Sequence, residues 1–574
     1  MHALLALVAA LLAQSATSPT PLLLPRDSQA LLRAARRAQG EFELTRRWHL
    51  PAAPSASRCD ELVGRFCYWH GDDREQPPPE PERIGRARDA LLDQLDSLAA
   101  LLPGDAWIAG QRVRYFVESG RTDDAVHAAE ACRTAGWWCW ALGGLALHAA
   151  GEYPAADSAF DAALALMPAE ERCQWSDLSS LLEGDLRKRY RALSCEERDR
   201  LGARLWWLAR PLLSRAGNDR RSEHFARLMV VRLMREARTA YGLSWGGDLA
   251  EITLRYGWPR WWTQAPPRAM GLLVDPIIAG HETTPGFHFF PAARAVLDPA
   301  AARQADFAPQ APRPREVYAP RYATAFTTPA HQSAMFRRGD TALVVAAYDV
   351  AADTLFAGAS LDAALVLARD ERSPPVVTRR DHAPRRGVLL AAAPWGPLVL
   401  SLELTTANSR HVARARYGWR PAPAEARVTL SDLLLFDPAP AAPAPAPPPD
   451  SQPVTLESAA PRAHGSGIVP SDRPLGLYWE LYGLAPGGEV VTTSVSVIPL
   501  KKTFLGFGRS KRVRLEWQDV PERVDGIGAR ALAVDLSGLS PGRYRVVLSV
   551  RPQDEPVVAA SREIVVTRPR QGDP

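Results

Sequence analysis

Between positions 218 and 255 the chain gathers Asn218, Arg221, Glu223, His224, Asp248, Glu251 and Arg255, its densest polar set bordered by aromatic rings. A carboxylate and an imidazole side by side, Glu223 and His224, are the types that general acid–base chemistry uses. Their adjacency argues against that use. Successive helix residues point about 100° apart, so the two side chains do not converge on one substrate. The expectation is a hydrogen-bonded network that holds a helix, a turn and the next segment in register. A hydrolase cleft around Glu223, His224 and Asp248 is the competing reading.

Other constellations fail on spacing. His281, Glu282 and His288 do not follow H-E-x-x-H, which places both histidines on one helical face, and Pro285-Gly286 interrupts any helix there. No metal site is expected. Gly465-Ser466-Gly467 is not G-x-S-x-G and lies in a stretch that reads as linker, whereas a nucleophile elbow needs a strand before it and a helix after. Neither GxxxxGK[ST] nor GxGxxG occurs, so no nucleotide cofactor is called for, and no other cofactor is expected. The tryptophans of 137–140 and 258–262 could stack on sugars or peptides. Core packing is the expected use of most of them, with Trp261 and Trp262, beside an irregular loop, as the surface candidates.

The elements that must position these groups are helical first. Residues 27–45 read as a helix, 76–81 as a Pro-rich spacer, and helical patterning then runs to about 240. Inside it, Trp140, Gly144, Tyr153, Ala156, Phe160 and Pro168 imply two helices broken at Gly151-Glu152. The small residues let the helices approach and the aromatic ones fill the gap between them. This pattern resembles the tetratricopeptide repeat. Asn218 or Asp219 is placed to cap the helix that carries Glu223, and Phe225, Leu228, Met229 and Leu233 mark its buried face. Residues 252–256 read as a short strand or helix end, stopped by Gly257 and Pro259.

Six cysteines, Cys59, Cys67, Cys132, Cys139, Cys173 and Cys195, all lie in the front half. The favoured arrangement is the sequence-local one, Cys59–Cys67, Cys132–Cys139 and Cys173–Cys195, with buried free thiols as the alternative. Residues 1–16 read as a secretory leader: 3–13 is an unbroken apolar run and Ala13-Gln14-Ser15 offers a cleavage site. No later segment is apolar enough to span a membrane.

The stretch Ser244-Trp245-Gly246-Gly247-Asp248, with Arg255-Tyr256-Gly257-Trp258-Pro259 after it, resembles the GWxTD domain family of exported bacterial proteins. Trp245 and Asp248 match its name motif, with Ser244 and Gly247 at the departing positions, and Arg255, Tyr256, Gly257 and Pro259 match the Arg-Tyr-Gly-x-Pro that follows. The resemblance continues loosely through 431–434 and 474–484. It implies architecture rather than an activity.

From about 340 the period becomes two. Strands are expected over 341–350, 361–368, 387–393, 398–404, 411–418 and 426–433, then over 475–481, 489–498, 512–517, 531–536, 543–550 and 557–566. The expected fold is multidomain α + β: an α-helical region followed by two antiparallel, immunoglobulin-like or fibronectin-like β-sandwich modules. The expected divisions are a leader (1–16), a tetratricopeptide-like region (17–200), a GWxTD-like segment (201–265), an irregular connector (266–339), a first sandwich (340–436), a Pro/Ala linker (437–470) and a second sandwich (471–568). Tyr544, after Ser540-Pro541-Gly542, resembles the tyrosine corner of such modules.

A net charge of +5 on 574 residues gives no argument for nucleic-acid binding, which needs a concentrated basic face. The role expected from all this is non-enzymatic: an exported protein, periplasmic or at the cell surface, that binds a protein partner or helps assemble the envelope. A carbohydrate-binding surface module is a third reading.

Overall fold

The computed structural model describes residues 25–52, 61–68, 78–265, 277–281, 286–311, 313–406, 410–421, 426–438, 455–500, 512–553 and 555–568. The expected leader, Cys59 with its proposed pairing to Cys67, Glu282 and the Pro/Ala run of 439–454 fall outside them.

The front half is helical: α1 (Pro25–His49), α2 (Glu82–Leu101), α3 (Ala106–Glu118), α4 (Thr122–Glu130), α5 (Trp138–Ala150), α6 (Tyr153–Leu166), α7 (Ala169–Trp175), α8 (Gly184–Ala192), α9 (Cys195–Ala209), α10 (Asp219–Met234) and α11 (Gly247–Tyr256). A short hairpin, β1 (Glu61–Val63) with β2 (Phe66–Tyr68), lies between α1 and α2. Local chemistry sets several starts. Asp105 caps α3 by accepting from the Ile108 N–H, and Ser194 with Glu197 forms a capping box on α9. Two disulfides bind the helices at their ends, Cys132–Cys139 from α4 to α5 and Cys173–Cys195 from α7 to α9.

The α5–α6 hairpin turns at Gly151, whose φ of 89° lies in the left-handed region that glycine occupies without strain. Gly144 supplies the close approach: a Cβ there would sit 2.7 Å from the Phe160 ring. Gly144→Ala is therefore expected to cost about 1–3 kcal/mol, the usual range for overpacking, read as a lower denaturation midpoint with unchanged helical signal. Trp140 departs from its expected interior place and is 49% exposed. Half-buried positions against the core at that end are taken by Trp137, 5.2 Å from Trp175, and by Trp138, whose indole donates to the Ala106 carbonyl.

The stretch expected as an irregular connector holds strands. β3 (Trp261–Ala265) pairs with β4 (Ile277–His281). After a short helix, α12 (Ala293–Leu297), come β5 (Ala325–Thr327) and β6 (Ala330–Arg338), so the first sandwich begins near 325 rather than 340. The alternation of β6 is hidden because both its faces are buried. Met335 enters the first sandwich's core, while Ala334 and Phe336 meet the second module.

The first sandwich continues with β7 (Thr341–Asp349), β8 (Leu361–Ala368), β9 (Val376–Arg380), β10 (Arg386–Pro394), β11 (Leu398–Thr406) and β12 (His411–Trp419). Its two sheets run β10-β7-β6 and β5-β12-β11-β8-β9. Next, β13 (Thr429–Leu430) and β14 (Leu434–Phe436) both pair with β16 (Leu475–Tyr482) of the second module. The strand expected over 426–433 is thus split at Ser431-Asp432 and belongs to the second sandwich. There the Ser431 N–H donates to the Glu480 carbonyl and the Asp432 N–H to that of Met335.

The expected linker is structured from 455 onward. α13 (Leu456–Ala459) is buried between the modules, and β15 (Ile468–Pro470) pairs in parallel with β21 (Val558–Thr567). A Cβ on Gly465 would lie 2.5 Å from the Tyr348 backbone, so the Gly465-Ser466-Gly467 stretch is packed rather than loose. With β17 (Val491–Pro499), β18 (Val513–Asp519), β19 (Ile527–Val534) and β20 (Gly542–Pro552), the second sandwich sets β16, flanked by β13, β14 and β19, against β15-β21-β20-β17-β18. Tyr544 donates to the Ser540 carbonyl at 2.8 Å, the expected corner. Arg338 reaches from the first module to Glu480 of the second at 2.6 Å. Among the described residues no helix is long and apolar enough to cross a membrane.

Candidate functional site

Helix α10 is the hub. Asn218 caps it by accepting from the Arg221 N–H and donates its amide to the Trp206 carbonyl. The next residues leave in different directions, as 100° steps require. Asp219 accepts from Tyr318 at 3.0 Å and Tyr322 at 2.9 Å, and burial pushes its carboxyl up. Arg220 donates to Glu316, both fully buried, at 2.6 Å. Arg221 pairs with Asp157 and Asp161 of α6. Glu223 lies 2.6 Å from Nε2 of His148 and 2.7 Å from Arg227. Burial pushes the Glu223 carboxyl up, but Arg227 and His148 outweigh it and hold the group well below the carboxylate range.

Glu223 and His224 do not converge. His224 is sealed among Trp206, 5.0 Å away, and Phe225, and both ring nitrogens lack hydrogen-bond partners. Burial, then Arg220, Arg227 and Arg221, hold the imidazole far below its ordinary value, so it is neutral. Because its folded pKa is depressed, folding is favoured above the unfolded value near 6.5, and that contribution is lost as pH falls below it. His224→Phe is expected to flatten the stability loss between pH 7 and 5. The wild-type slope from this one group approaches about 1.4 kcal/mol per pH unit, and urea unfolding across that range measures it.

A second arrangement was not legible in the sequence. His148 Nδ1 is 2.8 Å from Ser222 Oγ, giving Ser222, His148 and Glu223 the composition of an acyl-transfer relay. Ser222 is fully buried, however, and its hydroxyl donates to the Asp219 carbonyl within the helix. A nucleophile must reach substrate, and this one does not.

Arg227 joins the hub to the GWxTD-like motif. Its guanidinium donates to the Leu254 carbonyl at 3.1 Å, the Arg255 carbonyl at 2.9 Å and the Val317 carbonyl at 2.7 Å. The first two are orphan acceptors at the end of α11, where a cation also meets the negative end of the helix dipole. Residues 252–256 are thus the last turns of that helix, and Gly257, with φ of 92°, ends it. Arg255 is buried and donates to the Arg315 carbonyl at 2.8 Å and to Glu61, which also accepts from Tyr256 at 2.7 Å. Glu251 receives Arg315 at 2.6 Å.

Asp248 stands apart, 2.6 Å from Arg65, whose hydrogen bonds hold its carboxyl far down. Trp245 and Pro259 pack elsewhere. Trp245 lies 6.4 Å from Trp258, and Pro259 packs so closely on Gly280 that a Cβ there would clash. Trp261 is 37% exposed, but Trp262 is only 5% exposed, under the Arg46 guanidinium, and so is not a surface ring.

The arrangement therefore ties α5, α6, α10, α11 and the 315–322 segment together. Arg220, Arg227, Glu316, His148, Tyr318 and Glu61 were missed in the sequence because their partners lie far away in the chain. His288 lies 3.0 Å from Glu316, and Nε2 of His281 lies 2.7 Å from the Thr263 hydroxyl. Among the described residues no three His, Cys, Asp or Glu side chains gather as a metal set. On the first sandwich, Trp395 and Trp419 meet edge to face at 78° rather than as a flat row.

No family model matches the chain, and no curated protein matches it. Solved structures similar to it include a DUF3823 family protein from Bacteroides ovatus ATCC 8483, at 10% identity over 42% of this chain and 98% of that one, with a TM-score of 0.14. Red sea bream transglutaminase is similar at 11% identity over 42% and 31%, with a TM-score of 0.12. The FN1-FN3 domains of chicken CNTN1 are similar at 9% identity over 42% and 69%, with a TM-score of 0.14. At these TM-scores the likenesses carry no functional argument.

Proposed function

We propose that this chain is a non-enzymatic exported protein of the GWxTD kind whose helical half, with its tetratricopeptide-like hairpin, docks a protein partner, as in envelope assembly. One observation carries the non-catalytic reading: the Ser222 hydroxyl of the Ser222–His148–Glu223 chain is fully buried, and Glu223, Arg221 and Arg255 are each spent on internal partners. Paired helices present grooves that suit peptides, and half-exposed Trp140 is the kind of ring that anchors such contacts. Two disulfides suit an oxidising compartment.

The test is capture from native bacterial envelopes by the tagged full-length chain, beside Trp140→Ala and Ser222→Ala variants. A specific protein retained by wild type and Ser222→Ala but lost by Trp140→Ala supports the proposal. Ester or peptide hydrolysis that Ser222→Ala abolishes overturns it.

A further inference from the structure

The motif segment leaves an imbalance of charge beside α8. Among the described residues the guanidiniums of Arg191, Arg255 and Arg315 act on that of Arg187, and the carboxylates that pair with Arg255 and Arg315 are Glu61 and Glu251. Both carboxylates are engaged: Glu61 by Arg255 and Tyr256, and Glu251 by Arg315 at 2.6 Å and Arg255 at 3.4 Å. Arg315 is tied to the turn that leads into α8, its Nε donating to the Ser180 carbonyl at 2.9 Å. Arg187 and Arg191 stand four residues apart on α8, so their side chains are neighbours one turn apart, an arrangement that repels in an isolated helix. Among the described residues Arg187 has no hydrogen-bond or ion-pair partner, and its Nε is buried without an acceptor.

We propose that this face is a binding site for a phosphate-class oxyanion, held by Arg187 and Arg191 with Arg315 beside them. Among the described residues neither Arg187 nor Arg191 has a carboxylate partner, and a phosphate dianion neutralises two guanidiniums where a single carboxylate does not. Guanidinium forks match phosphate oxygens in pairs. The uncompensated field is also felt by Arg187 itself: burial, then Arg191 and Arg315, push its guanidinium toward the neutral form. Glu61 and Glu251 remain partly open to solvent, so the site is reachable. The chemistry is the same for free phosphate and for a lipid headgroup.

The experiment is calorimetric titration of the full chain with inorganic phosphate at fixed ionic strength, chloride replacing phosphate in the blank. One saturable site is expected, weakened at least about tenfold by Arg187→Gln, the loss of one strong charge-assisted contact. Arg191→Gln, at an exposed position, repeats the test should Arg187→Gln unfold. Arg514→Gln, on the second sandwich, is expected to bind as wild type. Co-sedimentation with vesicles of phosphatidic acid against phosphatidylcholine separates the sources: Arg187-dependent vesicle binding assigns the headgroup, and binding of inorganic phosphate alone assigns the free ion. Absence of saturable binding in both arms, or binding indifferent to Arg187 and Arg191, overturns the proposal.

Discussion

Glu403→Ala lowers the unfolding free energy by about 3–5 kcal/mol, the cost of removing one partner from a buried ion pair. Glu403 lies on β11, on the face turned toward the helical body rather than into the sandwich. It accepts from the N–H groups of Leu213 and Ser214 at 2.8 and 2.9 Å, from Ser401 at 2.7 Å, and from Arg416 at 3.2 Å. Arg416 and Arg414 in turn donate to the carbonyls of Leu208, Arg210, Pro211 and Phe307, which closes the end of α9 onto the sheet. Apolar contact surrounds this network, with Trp207 and Leu208 near Val366 and Val399. Without Glu403 two neighbouring guanidiniums stay buried with no carboxylate. Burial and Glu403 act oppositely on Arg416, and burial wins even now, leaving it at about 10. Guanidinium unfolding measures the loss. Amide exchange at 205–214 is expected to rise with it, because α9 loses its anchor.

Glu316→Gln has an effect of similar size. Arg220 and Glu316 are both fully buried, and Glu316 also accepts from the Phe289 N–H. The single variant leaves Arg220 uncompensated between the Trp206 and Phe290 rings, again about 3–5 kcal/mol. An apolar double replacement, Arg220→Met with Glu316→Leu, should recover most of it. The pH dependence has a definite sign. Burial pushes the Glu316 carboxyl up, yet Arg220 and His288 bring it down to about 2. A carboxyl depressed in the folded state stabilises fully above its unfolded value near 4.5 and loses that contribution as pH falls toward 2. Wild type should therefore lose stability in that window, and Glu316→Gln should lose this component of it.

The parts of the fold written in local chemistry were legible. The period-two runs, the Gly151 break, the Gly144–Phe160 approach, the Asn218 cap and the Tyr544 corner all depend on residues close in sequence. The parts that depend on packing between modules were not. β6 is buried on both faces and so lacks alternation. The 429–436 strands read as the end of one sandwich but pair with the next. Trp262 comes just before a stretch that reads as irregular, yet it is covered by Arg46 from α1. The candidate site divides in the same way. That Glu223 and His224 diverge follows from helix geometry alone. That Glu223 meets His148, Arg220 meets Glu316 and Arg255 meets Glu61 has no local signature, since these partners are 75, 96 and 194 residues apart.

The central claim is that the motif residues hold segments together rather than act on a substrate, and Arg227 tests it most directly. Arg227→Met removes the cation that closes α11 and leaves the carbonyls of Leu254, Arg255 and Val317 without that donor. Hydrogen exchange by mass spectrometry should show faster exchange in both 247–260 and 313–320, with the sandwich cores unchanged. Unaltered exchange in those two segments would contradict the account and return the Arg227–Glu223–His148 set to the status of a ligand-binding group.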